Sequence, residues 1–260
     1  EGKKFVVVGT DGRQRAAAAL FRQLGFEVAG EEKIAQADVV LLPTPLSALK
    51  IPLEQMLQKI RPGALVFAGS VRREEQRMAT AAGVQLIDPL TREELAVLNA
   101  VPTCEGAVQI LLGEREETLW NSRILVLGFG RIAKLLAQRL TGFGALVTVA
   151  ARRSEVRALA AALGYRTLEI SAMQGAVSGF EVLVNTVPAL VVDQTMVDLL
   201  RPDAFVLDLA SAPGGVDFEA LGKRKIRTVW ARGLPAKCAP KTAGRFLGQM
   251  VLKIMEEMEQ

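Results

Sequence analysis

The chain has 260 residues, half of them apolar, with 32 Lys plus Arg against 28 Asp plus Glu and a formal net charge of +4. It contains no histidine, which excludes His-based triads, His metal ligands and the His-dependent hydride chemistry of 2-hydroxy acid dehydrogenases. One tyrosine and two tryptophans leave little for stacking on single-stranded nucleic acid, and evenly spread charge reads as solvated surface.

The length suits one large domain or two modest ones. Apolar runs such as 37–42 stop at Pro43 and Pro45, and none is expected to approach the roughly 20 residues that span a bilayer. No signal-peptide pattern is read at the start, so a cytoplasmic protein is expected. Cys104 and Cys238 stand far apart in no paired spacing, which argues against a zinc or CxxC motif and for a reducing compartment. A thiol without a neighbouring base is not activated, so both read as inert. No metal site is expected.

In chain order, strands are predicted over 4–9, 39–42, 64–68 and 84–87, with helices over 13–24 (closed by Gly25), 53–60 and 71–82. A helical stretch over 103–113 follows. Its start at Pro102-Thr103-Cys104-Glu105 makes Thr103 a candidate N-cap and Glu105 a first-turn acid. The pattern then restarts, with strands over 122–128, 145–150, 181–185, 204–208 and 227–230. Helices are predicted over 132–141, 155–163, 192–200 and about 240–258. This is an α/β fold of two open, doubly wound parallel-sheet lobes, the second a Rossmann dinucleotide-binding domain. Residues 1–118 form a flavodoxin-like lobe and 119–234 the Rossmann lobe. Phe246, Leu247, Met250, Val251 and Ile254 make one helical stripe, so the segment 235–260 is expected to pack back on the first lobe. Cofactor and substrate are expected to meet between the lobes.

Gly128-Phe129-Gly130-Arg131-Ile132-Ala133 directly follows one predicted strand and opens a helix. The first glycine suits the tight turn, the second lets a pyrophosphate approach, and Ala133 lets helix and strand pack closely. The first N–H groups of the helix, at Arg131 and Ile132, would face the phosphates. An NAD site expects an acid about 20 residues later, at the end of the next strand. Arg152, Arg153 and Ser154 stand there instead, which suits the 2′-phosphate of NADP and leaves NAD as the other cofactor. Thr186, Val187 and Pro188, and Ala210 with Ser211, follow later strands, where ligands bind in open sheets. They are candidate neighbours of the nicotinamide ribose, against the plainer reading that Pro188 and Pro213 only shape turns.

The segment 231–244 gathers Arg232, Lys237 and Lys241 with two prolines ahead of the last helix. Such cations, with a helix N-terminus, suit a carboxylate-bearing substrate. Thr242 and Thr103 join them as candidates.

The segments VPTCEG, VLGFGRIA, DLASAPGGVDF and ARGLPAKCAPKTAG, in that order, closely resemble the A subunits of bacterial dipicolinate synthase. The resemblance covers essentially the whole chain, including the opening VVVGTDGRQ. It implies an NADP-linked subunit that oxidises dihydrodipicolinate to dipicolinate, a dicarboxylate stored in spores, and that pairs with a flavin-binding B subunit. Homo-oligomers are compatible with it, and neither nucleic acid nor membrane is implied. On this reading Lys241 and Thr242 bind substrate carboxylate, Arg232 and Lys237 assist, and Glu105 is a candidate proton acceptor. The family has arginine where Ala212 stands, and usually a β-branched or small apolar residue where Cys104 stands. Two other classes compete: a shikimate-dehydrogenase-like NADP oxidoreductase, whose Lys–Asp pair has no counterpart in the first lobe, and a non-catalytic nucleotide-binding scaffold.

Overall fold

Strands buried on both faces read as unbroken apolar runs and need helices on each side. Two such sheets form here, in a computed structural model that describes residues 2–260. The first contains β1 (Lys4–Val7), β2 (Glu27–Ala29), β3 (Val39–Leu41), β4 (Leu65–Phe67) and β5 (Gln85–Ile87), interleaved with α1 (Gly12–Gln23), α2 (Leu53–Gln58) and α3 (Arg73–Ala81). Its order is β2-β1-β3-β4-β5, with every pair parallel.

After α4 (Glu93–Glu114) come β6 (Arg123–Leu127), α5 (Arg131–Gly142), β7 (Leu146–Ala151), α6 (Ser154–Ala162), β8 (Arg166–Glu169) and β9 (Val182–Asn185). They are followed by α7 (Gln194–Leu199), β10 (Phe205–Asp208), α8 (Phe218–Lys223), β11 (Arg227–Trp230), α9 (Leu234–Cys238) and α10 (Pro240–Glu259). The second sheet has the order β11-β10-β9-β6-β7-β8 and is also all parallel. That is the Rossmann order, with its reversal point between β6 and β9.

The chain divides into one compact unit running through Asn99 and resuming at Pro235–Gln260, and a second, Ala100–Leu234. The division falls inside α4, not after residue 118. In the first unit, alternate strand residues serve opposite faces. Phe5, Val39, Leu41 and Phe67 meet Ala17 and Phe21 of α1 and Leu247, Met250, Val251 and Ile254 of α10. Val6, Val40 and Val66 meet Met56 and Leu57 of α2 and Ala79 of α3. Glycines let α10 lie close on α1: a Cβ on Gly244 would stand 2.3 Å from the Arg13 carbonyl oxygen.

Several expectations need correction. The helix expected to start at Pro102 begins at Glu93, and Pro102 lies inside it. Thr103 is therefore a mid-helix residue and not an N-cap. Proline removes one donor and its ring crowds the carbonyl four residues back. The buried contacts of Leu95, Ala100, Cys104, Ala107 and Leu111 on either side offset that cost, so α4 runs through it. Its 22 residues are also long and apolar enough to cross a membrane by composition, contrary to the expectation that no segment approaches that length. Half of its most apolar window is buried, including Leu95, Ala100, Cys104, Ala107 and Leu111, which suits a core helix. Short β2, β8 and α8 were not foreseen. The cation-rich connection before the last helix includes α9.

Candidate functional site

The second unit's functional geometry starts at the end of β6. Gly128 has φ +86°, a conformation that favours glycine. A Cβ there would stand 2.7 Å from Thr186 Oγ1. Thr186 Oγ1 donates to the Leu127 carbonyl at 2.7 Å, and the Thr186 N–H donates to the same oxygen at 3.1 Å. Thr186 thus holds the loop after β9 against the glycine turn. Gly130 precedes α5 with open space where a Cβ would be, and no side chain caps the helix. Its first N–H groups therefore suit an anion. Ala133 is fully buried, which lets α5 pack closely on β6. Arg131 is exposed and Ile132 half-buried.

Cys104 lies under this turn, fully buried, with Sγ donating to the Ile132 carbonyl at 3.3 Å. Burial pushes its thiol pKa up to about 12, Arg139 opposing more weakly. The thiolate fraction at pH 8 is then on the order of one in ten thousand. A thiol reagent at pH 8 is expected to label native protein at Cys238, which is half-buried, and to reach Cys104 only after denaturation. Peptide mapping that finds rapid native labelling at Cys104 would contradict the assignment of an inert thiol.

A cavity of about 520 Å³ lies over this turn and is bordered by Gly128, Gly130, Arg152, Arg153, Val187 and Leu190. The structure thus brings together three of the segments singled out in the sequence. No acid follows β7 at 152–154, and Arg152, Arg153 and Ser154 are all exposed. Arg153 pairs with Glu155 at 3.3 Å. Sequence reasoning missed Arg157, whose Nη1 donates to the carbonyls of Ala151 (2.9 Å) and Arg152 (2.6 Å). Its Nη2 meets Glu169 at 3.3 Å. Arg157 shapes the loop that presents the other two arginines, yet in the sequence it reads as one more surface charge.

Behind the next two loops lies a buried polar pair. Asn185 and Asp208 stand in register at the ends of β9 and β10, both fully buried. Asn185 Nδ2 donates to Asp208 Oδ1 at 2.8 Å and to the Val187 carbonyl at 3.0 Å, while its oxygen accepts from the Val187 N–H. Asp208 also accepts from the N–H groups of Ala210 (2.9 Å) and Gly215 (2.8 Å). The pair therefore fixes both loops. Ala210 is buried, whereas Pro188 and Ser211 are exposed. Trp230 donates to the Ala210 carbonyl at 3.0 Å, and the exposed Arg232 guanidinium lies 5.0 Å from the Trp230 ring centroid. Polar residues ending otherwise apolar strands were the available signal for this pair.

The substrate candidates fall in different units. Thr103, Glu105 and Arg232 belong to the second, and Lys237, Lys241 and Thr242 to the first. Glu105 is exposed on α4, Lys237 is exposed in α9, and Lys241 is exposed beside half-buried Thr242 in the first turn of α10. No His/Cys/Asp/Glu cluster able to hold a metal occurs among the described residues.

Residues 123–212 match the family model described as NADP oxidoreductase, coenzyme F420-dependent. Over 236 residues the chain is 30% identical to the A subunit of dipicolinate synthase from Bacillus subtilis, covering 86% of this chain and 80% of that protein. Its fold is similar to the crystal structure of the dipicolinate synthase A subunit from Bacillus halodurans, with TM-score 0.89, 29% identity and 97% of each chain covered. The A chain of dipicolinate synthase from Bacillus subtilis is also similar, with TM-score 0.88, 26% identity and 100% and 97% of the two chains covered.

Proposed function

We propose that this chain, which belongs to the family of dipicolinate synthase A subunits, is the NADP-linked component that oxidises dihydrodipicolinate to dipicolinate. The observation that carries the cofactor is the cavity bordered by the glycine turn and by Arg152 and Arg153, with no acid after β7. The residues fit the group: a bare turn where a Cβ would collide, an uncapped helix start, and two exposed guanidinium groups. Gly128, Gly130, Arg131 and Ile132 would hold the pyrophosphate. Arg152, Arg153 and Ser154 would hold the 2′-phosphate, while Thr186, Val187, Pro188, Ala210 and Ser211 flank the nicotinamide ribose.

NADP, when bound, supplies the hydride acceptor. The substrate ring loses one hydride and one proton and becomes an aromatic pyridine. Aromatisation favours this direction, so orientation and cation placement suffice without histidine. Lys241 and Thr242 receive a substrate carboxylate, Lys237, Arg232 and Thr103 assist, and Glu105 accepts the proton. A partner B subunit that binds flavin, a cytoplasmic setting and a role in spore formation complete the proposal.

The test is turnover of purified chain with dihydrodipicolinate and NADP, with and without the flavin-binding partner. Dipicolinate and reduced nicotinamide are expected in equal amounts. Turnover by the chain alone would eliminate a scaffold role. No dipicolinate under either condition would overturn the proposal.

A further inference from the structure

We propose that Arg157, clasped to Glu169, is the positioning residue that sets the preference for NADP over NAD. It does so by holding the backbone of Arg152 and Arg153 in the form that receives a 2′-phosphate. This deepens the cofactor reading above and rests on it.

The anchors of Arg157 come from separate stretches of chain. Parallel pairing sets Ala151, the last residue of β7, opposite Glu169, the last residue of β8. Arg157 stands in the first turn of α6, between them in sequence. Its Nη1 donates to the carbonyls of Ala151 (2.9 Å) and Arg152 (2.6 Å), and its Nη2 donates to Glu169 Oε2 at 3.3 Å. Its own backbone N–H donates to the Arg153 carbonyl at 3.2 Å. One residue therefore engages the carbonyls of Ala151, Arg152 and Arg153 in succession, where the chain leaves the sheet and enters the helix. The Arg157 side chain is 21% exposed against 68% for Arg153. The first serves the backbone, while the second stays largely in solvent.

The clasp adjoins the cavity over the glycine turn. Ala151, Arg152 and Arg153 line that cavity, and so do Val156 and Ile170, the chain neighbours of Arg157 and Glu169. An arginine on a loose backbone loses part of a charge-assisted hydrogen bond to the entropy of ordering that backbone, whereas a backbone already tied keeps it. NAD lacks the 2′-phosphate, so its affinity depends little on that order. The clasp therefore acts on the difference between the two nucleotides and not on dinucleotide binding itself. Lysine cannot replace the guanidinium. The fork sets one nitrogen on two carbonyls and the other on a carboxylate, whereas an ammonium is a single point of charge. Charge and position can thus be separated by substitution.

The test is calorimetric titration of wild type, Arg157→Lys, Arg157→Gln and Glu169→Ala with NADP and with NAD. Both Arg157 variants are expected to lose roughly tenfold in NADP affinity and less than about threefold in NAD affinity. Arg157→Lys keeps the positive charge, so a loss there reports position. Glu169→Ala removes a negative charge, which by itself would tighten NADP binding. Loosening of the clasp is expected to weaken it about threefold instead. Far-UV circular dichroism checks folding, and Glu169→Ala, an exposed site, decides if the Arg157 variants fail to fold. Three results would each overturn the positioning role and leave the cofactor reading standing: wild-type NADP affinity in folded Arg157→Lys, equal losses for the two nucleotides, or unchanged or tighter NADP binding in Glu169→Ala. Equal NADP and NAD affinities in wild type would overturn the cofactor reading and this role with it.

Discussion

The double substitution Arg152→Asp, Arg153→Ala is expected to erase or invert a preference for NADP over NAD. A charge-assisted hydrogen bond to a phosphate is worth about 1.5–3 kcal/mol, a roughly ten- to hundredfold preference. An aspartate at the end of β7 reverses the sign, repelling a 2′-phosphate and accepting from the free ribose hydroxyls of NAD. The fold should tolerate the change. Both side chains are exposed, and the Arg153–Glu155 pair, exposed on both sides, contributes no more than about 1 kcal/mol. The loop itself is held by Arg157 through the carbonyls of Ala151 and Arg152, which the substitutions leave in place. Calorimetric titration of both proteins with both nucleotides is the measurement. Equal wild-type affinities would reduce the two arginines to surface charges.

The contrast between Arg152 and Arg157 shows how much of the site was legible. The glycine turn, the strand before it and the missing acid are local patterns, and local patterns survive in a sequence read alone. The function of Arg157 depends on how the strand end curls back over its own helix. Nothing in the spacing separates it from its solvated neighbours. Helix α4 fails differently. Pro-Thr-Cys-Glu has the chemistry of a helix start, but Glu93 and Glu94 had already started one. Burial on both sides of Pro102 holds the helix together despite the lost donor and the crowded carbonyl. The strands β2 and β8 were missed because they are short and contain no fully buried residue, with the patterns Glu27-Val28-Ala29 and Arg166-Thr167-Leu168-Glu169. Edge strands need little apolar signal. The Arg13 guanidinium donates to the Thr44 carbonyl from 31 positions away, and Asn185 meets Asp208 across 23. Only the sheet register brings such pairs together.

Asp208→Ala is expected to be the most damaging single change in the second unit. The carboxylate accepts from Asn185 Nδ2 and from the N–H groups of Ala210 and Gly215, all in fully buried surroundings. Alanine leaves the N–H groups of Ala210 and Gly215 and one N–H of the Asn185 amide unmatched, while the other keeps the Val187 carbonyl. Each unmatched buried donor costs about 1–3 kcal/mol, so even partial relaxation leaves a loss of roughly 3–5 kcal/mol. Asp208→Asn should lose less. Its amide oxygen keeps one acceptor, while its NH₂ group confronts a donor that the carboxylate had matched. The neighbouring loop cannot close the gap by shifting inward: a Cβ on Gly215 would already stand 2.3 Å from Asn185 Nδ2 and 2.4 Å from the Val187 carbonyl. Trp120 and Trp230, the chain's two tryptophans, both lie in the second unit. Urea unfolding followed by tryptophan fluorescence therefore reports this unit directly, without assuming that the first unfolds with it. The midpoints should fall in the order wild type, Asp208→Asn, Asp208→Ala. The loops after β9 and β10 hang on this carboxylate, so nucleotide affinity should fall in the same order in urea-free buffer. An Asp208→Ala protein destabilised by less than about 1 kcal/mol, the range of an ordinary surface change, would show that the loops are held by their own turns instead of by the buried pair.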